Sequence, residues 1–314
     1  LRGGKTSQME KCTLYVFSGT GNTLRIASYY KEYLSPEYQT EICSLRRAGP
    51  RFVFPPPGDA DLTGFGYPIH AFNAPEIFIR FAQQLPAARG RKAFIFESSG
   101  EGLHLNDASS DMLRHILVRK GYTVLTDRHF LMPYNIITRH CDALVKQMIV
   151  YSRALARLNA RELKASKTER QEFHPQLNLL SAVFRIEWLY ARLQGPSMKA
   201  DMKKCILCGQ CVRGCPLGNI SMKNGRIHKG FNCALCLRCS FCCPADAVSL
   251  GLLNGWKLNG AYDFAAVMHS SGLPFPFITD RTRGAYRLYL GYYRALDARL
   301  RSCGTSVLPE DFRE

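Results

Sequence analysis

No apolar run in this 314-residue chain is long enough to cross a bilayer. Stretches such as Ala93–Phe96 and Ala247–Leu250 stop far short of the roughly 20 residues a spanning helix needs. No secretory signal is recognisable. No G-x-G-x-x-G follows the first predicted strand and no Walker sequence occurs, which disfavours a nicotinamide or a nucleoside triphosphate in the first loop. Low-complexity tracts are absent, and no nucleic-acid-binding module can be recognised. Acidic residues are scarce: 25 Asp+Glu stand against 42 Lys+Arg, a net charge of +17. A basic surface of this size steers an acidic redox partner or an anionic membrane, with nucleic acid the weakest option; it reads equally well as generic solvated Lys and Arg.

Cysteine, by contrast, is plentiful. Of 13 cysteines, nine lie between Cys205 and Cys243, and Cys12, Cys43, Cys141 and Cys303 are scattered. A disulfide scaffold would be short, with its cysteines spread along it. Clustered thiols in a large chain imply metal in a reducing cytoplasm. Two runs stand in register: Cys205-x2-Cys208-x2-Cys211-x3-Cys215-Pro216 and Cys233-x2-Cys236-x2-Cys239-x3-Cys243-Pro244. Both match the bacterial ferredoxin run, in which three cysteines hold one [4Fe–4S] cluster and the fourth holds the other. The expected sets are Cys205, Cys208, Cys211 and Cys243 for one cluster, and Cys233, Cys236, Cys239 and Cys215 for the second. Zinc also takes four cysteines, but a doubled array each ending in Cys-Pro favours clusters. Cys242 adjoins Cys243, so a Cys239-x2-Cys242 reading exists; the following Pro244 favours Cys243. Ile220 and Val248, shortly after each Cys-Pro, are expected to open short strands and pack around the clusters.

The first half alternates strand and helix signals. Predicted strands are Thr13–Phe17, Gln39–Cys43, Leu62–Gly66, Lys92–Glu97 and Tyr122–Leu131. Predicted helices are Leu24–Leu34, Glu76–Leu85 and about Asp107–Lys120. Such βα units imply a parallel sheet with helices on both faces. From about Asp142 the pattern turns helical and basic, with Leu144, Ile149, Leu155, Leu158 and Leu163 near one face. A second helix, about Gln176–Leu193, carries Leu180, Val183, Phe184, Trp188 and Leu189, and Gly195-Pro196 breaks it. After the cysteines come a Pro-rich linker, Gly272–Phe277, and a final helix with Tyr286, Tyr289, Leu290, Tyr293, Leu296 and Leu300 on a packing stripe. Leu1-Arg2-Gly3-Gly4 resembles the C-terminal tail of ubiquitin and reads as a fusion scar, so residues 1–8 are set aside.

Ser18-Gly19-Thr20-Gly21-Asn22-Thr23 lies between the first strand and the first helix. Backbone N–H groups at a helix start point at an anion and the helix dipole favours negative charge; hydroxyls of Ser18, Thr20 and Thr23 can donate to phosphate oxygens. Two further loops should face the same ligand at the carboxyl ends of the strands. These are Pro68-Ile69-His70-Ala71-Phe72-Asn73 after the third strand and Ser98-Ser99-Gly100-Glu101-Gly102 after the fourth. Phe72 or Tyr67 is positioned to stack on a flat ring. His70 and His104 are candidate proton donors, or simply solvated loop histidines.

The glycine- and threonine-rich loop resembles the flavodoxin phosphate loop, and the whole arrangement resembles flavodoxin–ferredoxin fusion proteins of anaerobic bacteria and archaea. The resemblance covers about residues 10–165 and 197–252. It implies a flavodoxin-like doubly wound five-stranded parallel sheet with a small α+β 2[4Fe–4S] ferredoxin domain and helical additions. The expected segments are an FMN-binding domain at 9–165, a helical linker at 166–196, the ferredoxin domain at 197–252 and a helical extension at 253–314. The expected cofactors are FMN and two [4Fe–4S] clusters, leaving a net charge of roughly +11 once they are bound. The expected function is electron transfer between clusters and flavin for an external redox partner, an acidic ferredoxin or flavoprotein. The alternatives are a ferredoxin-dependent reductase acting on a small molecule at the FMN, and a cluster-stabilised binding module.

Overall fold

A computed structural model describes residues 9–46, 58–169 and 174–313; the segment read as a fusion scar lies outside them. The first half contains β1 (Glu10–Val16), α1 (Asn22–Leu34), β2 (Tyr38–Ser44), β3 (Leu62–Pro68), α2 (Glu76–Gln84), β4 (Lys92–Ser99), α3 (Asp111–Arg119), β5 (Thr123–Leu131) and α4 (Asp142–Lys164). Five strands pair in the order β2-β1-β3-β4-β5, all parallel. That is the flavodoxin-like doubly wound order.

Successive strand residues point to opposite faces; both faces are covered, so the central strands are buried along most of their length and feed two separate cores. Leu14, Val16, Phe94 and Phe96 face α1 and α4, where they meet Ile26, Tyr30, Met148 and Leu155. Tyr15, Phe17, Ala93 and Ile95 face α2 and α3, against Phe78, Phe81, Leu113 and Leu117. Tyr30 is fully buried, with its ring 4.9 Å from Phe94 and 5.0 Å from Phe96, and its hydroxyl donates to Asn159 Oδ1 at 2.7 Å. α3 starts later than its sequence suggests. Short-range bonds from Ser109 N–H to Asn106 O (2.8 Å) and from Asp111 N–H to Ala108 O (3.3 Å) tie residues 106–111 into turns first.

The expected single helix 176–193 is two, α5 (Pro175–Phe184) and α6 (Ile186–Ser197). The break falls at Arg185, whose N–H is shared between Ser181 O and Ala182 O and whose Nε donates to Asn73 Oδ1 at 3.2 Å. Gly195-Pro196 does not end the helix; both lie inside the last turn of α6. The cysteine module holds α7 (Gln210–Gly214), β6 (Ile220–Lys223), β7 (Arg226–Lys229) and α8 (Arg238–Phe241), with β6 and β7 antiparallel. Ile220 opens β6 as expected. Val248 opens no strand and makes one isolated bridge to Ala200.

α9 (Phe264–His269) and α10 (Leu290–Ser302) return to the first half. Tyr293, Leu296 and Leu300 enter the same core as α1 and α4. Arg157 on α4 pairs with buried Asp311 at 2.9 Å, and Arg299 on α10 pairs with Glu162 at 2.9 Å. α4 is therefore covered on both sides, which explains why it is buried almost all round rather than along one stripe. No helix among the described residues is long and apolar enough to cross a membrane.

Candidate functional site

A cavity of about 440 Å³ opens at the carboxyl ends of β1, β3, β4 and β5. All three predicted loops meet there. Ser18, Gly19, Thr20, Asn22 and Thr23 line it from the first, Pro68, Ile69, His70, Ala71 and Phe72 from the second, and Ser98, Ser99, Gly100 and Glu101 from the third. Gly21, Asn73 and Gly102 stand behind the wall instead. Gly21, at φ 114°, turns the chain into α1 in a left-handed conformation that favours glycine, and its N–H donates to Ser18 Oγ at 3.2 Å. Buried Asn73 donates to Ala71 O and Ser181 O, each at 2.8 Å. Gly102 lies against the Tyr289 ring.

The first loop is held by its neighbours. Thr23 Oγ1 and Ser98 Oγ share a hydrogen bond of 2.8 Å, Asn22 Nδ2 donates to Pro133 O at 2.9 Å, and Asn135 Nδ2 donates to Thr20 Oγ1. The loop after β5 thus forms a fourth side, with Pro133, Tyr134, Asn135, Ile136 and Ile137 in the wall. Sequence reasoning passed over it, although a doubly wound sheet turns every loop at this end toward the same crevice. Glu187 of α6, Leu235-Cys236-Leu237 of the cysteine module, and Leu253 and Trp256 also line it. These arrive from distant segments that carry no local signal for such a role.

The candidate aromatics and histidines separate. Tyr67 is buried in the core, its ring 5.2 Å from Phe78 and its hydroxyl donating to Glu97 Oε2 at 2.6 Å, so it cannot stack on a ligand. Phe72 is in the wall, as is Trp256. His104 is outside the cavity and lies 3.3 Å from Asp107. His70 is inside, and burial pushes it down to about 4, leaving a neutral imidazole. Burial raises the carboxyl of Glu101, and burial together with the charge of Glu76 raises Glu187 to about 7.

Each cysteine of the second run follows its counterpart by 28 positions, from Cys205 to Cys233 through Cys215 to Cys243. The backbone repeats with them. Leu207 and Leu235 (φ 54° and 47°), Gly209 and Leu237 (70° and 58°), and Gly218 and Asp246 (57° and 46°) are left-handed in both copies. Asn219 N–H donates to Cys215 Sγ at 3.2 Å, and Ala247 N–H donates to Cys243 Sγ at 3.3 Å. Cys242 corresponds to Gly214 in this repeat. Cys205, Cys208, Cys211 and Cys243 line one small cavity; Cys215, Cys233, Cys236 and Cys239 line another. Cys242 lies in neither and shares a separate cleft with Cys211, Cys239 and Arg238. The thiols frame spaces rather than points: among the described residues no three His, Cys, Asp or Glu side chains gather closely enough for a single ion. Burial pushes the Cys233 thiol up to about 11 and Cys236 higher still, while Lys229 Nζ donates to Cys239 Sγ at 3.6 Å. Of the scattered cysteines only Cys12 is buried; Cys43 and Cys141 are half-buried and Cys303 is exposed.

The second set of cysteines touches the large cavity. A Cβ on Gly19 would lie 2.5 Å from the carbonyl oxygen of Cys236, so only glycine permits this approach. Arg238 Nη1 donates to Gly19 O at 2.8 Å. Cys215, Cys236 and Ala234 pack against the core on the α2 and α3 side of the sheet, next to Leu217 and Trp188.

The family described as a 4Fe-4S binding domain matches residues 198–221. No curated protein matches the chain. Among solved structures, a flavodoxin from Streptococcus pneumoniae TIGR4 is 17% identical; the match covers 49% of this chain and 98% of that one, with a TM-score of 0.34. A short-chain flavodoxin associated with a PDU bacterial microcompartment is 15% identical over 51% and 100%, with a TM-score of 0.37. A flavodoxin, WrbA-like protein from Agrobacterium tumefaciens is 15% identical over 50% and 99%, with a TM-score of 0.35. The character of the first half rests on its own strand order rather than on these distant likenesses. The chain joins a flavodoxin-like α/β domain to a ferredoxin-type 4Fe-4S binding domain, with helical additions between and after them.

Proposed function

We propose that the chain is an electron-transfer protein that holds FMN in the strand-end cavity and two [4Fe–4S] clusters in the cysteine module, and that it serves an external redox partner. The residues present suit these groups. The start of α1, with the hydroxyls of Ser18, Thr20 and Thr23, offers donors and a favourable dipole to a phosphate. Ile69, Phe72, Met132, Leu237 and Trp256 give an apolar wall for a flat ring, in a cavity within the usual range of about 300–1,000 Å³ for such ligands. Cys205, Cys208, Cys211 and Cys243 are the proposed ligands of one cluster; Cys233, Cys236, Cys239 and Cys215 are those of the other. Clusters carry electrons singly and a flavin takes them singly or in pairs, which is the chemistry these groups supply.

The observation that carries the reading is the contact between Gly19 and Cys236. It sets the Ser18–Thr23 loop against Cys236, while none of Cys205, Cys208, Cys211 and Cys243 lines the cavity. Backbone N–H groups on Cys215, Cys233 and Cys243, with Lys229 at Cys239, stabilise thiolate charge and so tune potential. The +17 chain favours an acidic partner, whose on-rate should fall as salt rises. Anaerobically purified full-length protein should show flavin absorbance and about eight irons per chain. Absence of flavin would overturn the FMN assignment, and about four irons would overturn the pair of clusters.

A second reading, reduction of a small molecule in the same cavity, draws on Glu187. Its carboxyl, raised to about 7, can hold a proton beside the cavity at neutral pH. On this reading, turnover of a small electrophile by the reduced protein falls as pH rises through about 7. A rate that is flat with pH, or unchanged in Glu187→Gln, removes it.

A further inference from the structure

α5 and α6 are turned inside out. Their buried residues are Ser181 on α5 and Ala191, Gln194 and Gly195 on α6, small or polar side chains. That inner face is closely tied to the rest of the protein. Ser181 Oγ donates to Phe72 O at 2.8 Å, Asn178 Nδ2 donates to Asp111 Oδ2 at 2.7 Å, and Gln194 Nε2 donates to Leu250 O. Trp188 packs inward against the sheet-domain core and Phe184 meets Phe72, but most of the other large apolar side chains point the other way. Leu179 is 67% exposed, Val183 62%, Phe184 40%, Ile186 71%, Leu189 57% and Leu193 59%. A soluble surface scatters such residues singly; a contiguous group of them marks an interaction site.

The charges around this stripe select its partner. Between Pro175 and Ser197 the only acid is Glu187, which lines the cavity on the inner side. Arg192 on α6 is exposed and pairs with Glu76, Arg185 just before α6 donates inward to Asn73, and exposed Lys199, Lys203 and Lys204 follow with Asp201 among them, a net positive segment. A second copy is a poor occupant. A two-fold contact would set this face and its lysine-rich neighbour against themselves, between chains of net charge +17. Bulky aliphatic side chains with basic flanks are instead the pattern of a helix that lies in the plane of an anionic bilayer surface.

We propose that the outer face of α5–α6 docks on an anionic lipid surface, inserting Leu179, Val183, Ile186, Leu189 and Leu193. The docked face adjoins the cavity: the Phe184 ring is 5.0 Å from that of Phe72 in the cavity wall, and Glu187 reaches the cavity from the opposite side of α6. Lipid docking therefore orients the cavity relative to the bilayer. It stands whether or not the cavity takes FMN.

The test is co-sedimentation of the full-length, anaerobically purified protein with vesicles of phosphatidylcholine alone or mixed with phosphatidylglycerol. The expected result is binding to the mixed vesicles that weakens with salt. The pair Ile186→Glu and Leu189→Glu should reduce it by at least about tenfold while iron and flavin contents stay as in the parent. If that pair fails to fold, Leu193→Gln serves, with a smaller loss expected. Failure to bind mixed vesicles overturns the proposal, as does binding that these variants leave unchanged. A concentration-dependent dimer in analytical ultracentrifugation, dissociated by the same variants without any vesicle binding, also overturns it and assigns the face to a second copy.

Discussion

The two cysteine runs have the same spacing and nearly the same backbone, yet their surroundings differ. Cys205 and Cys208 sit in a loop that leads into α7, which carries Cys211; Cys208 is exposed, and Ile206 is 66% exposed. Cys236 and Cys215 instead pack onto the sheet domain, and Cys236 shares a wall with the large cavity. One sequence motif, used twice, thus supplies a solvent-facing site and a cavity-facing site. The repeated thiol arrangement comes from the motif, and the difference in surroundings comes from what each copy is packed against. For the proposed chain of electrons this gives an outer site, available to a partner, and an inner site beside the flavin loop.

The largest expected effect separates the two copies directly. Cys236→Ser should lose the inner cluster, lower iron from about eight to about four per chain, and disconnect the cavity from the outer site. Cys208→Ser should cause a similar loss of iron but leave the inner site and its contact with Gly19 in place. Iron analysis with flavin bleaching by dithionite-reduced ferredoxin checks both. If Cys208→Ser and Cys236→Ser are equally slow when reductant is delivered by a small diffusible donor, the proposed difference between the sites fails.

A smaller effect is expected at the joint. Gly19→Ala places a methyl against the Cys236 carbonyl, and relief requires the module or the loop to shift. A cost of about 1–3 kcal/mol is expected for such overpacking, read as weaker flavin retention on dialysis. Unchanged retention would mean that the joint gives way freely.

The sheet domain offers a third test through pH. Glu97 is buried and accepts hydrogen bonds from Tyr67 Oη and Ser109 Oγ, both at 2.6 Å; burial and the nearby charge of Asp127 hold its carboxyl well above the usual range. In the unfolded chain it ionises near the ordinary value. Its contribution is therefore fully present at low pH and declines as pH rises through the usual carboxylate range toward its folded value. Glu97→Gln should flatten the fall in denaturant midpoint between about pH 5 and pH 8. An identical pH slope in parent and variant would contradict the buried neutral acid.

The smallest effect is expected at Cys242, which matches Gly214 in the repeat and lines neither thiol-framed cavity. Cys242→Ser should keep the full iron content. Loss of iron would move the fourth ligand from Cys243 to Cys242 and break the symmetry between the copies.

Much of this was legible in the sequence because the signals were local. The short apolar runs of β1, β3 and β4, set between helical stretches, announce the sheet, and Ser18–Thr23 between the first strand and helix announces its loop. The cysteine spacing separates the two thiol sets that the fold then gathers around separate cavities. What was not legible depends on long-range packing. Nothing near Trp256 or Glu187 says that either reaches the cavity, since both are carried there by segments that dock on other domains. Val183 and Leu189 share one predicted helix with Trp188, yet Trp188 packs inward beside Ser181, Gln194 and Gly195 while Val183 and Leu189 stay exposed. Apolar periodicity reports that a face exists, not which way it turns.

The central claim is the unequal placement of the two copies, and an experimental structure of the anaerobic, fully loaded protein tests it most directly through the distance from the flavin to each cluster. The cluster held by Cys215, Cys233, Cys236 and Cys239 should be the nearer one, beside Gly19. A flavin nearer to the cluster of Cys205, Cys208, Cys211 and Cys243, or a strand-end cavity filled by something other than a flavin, would contradict the account.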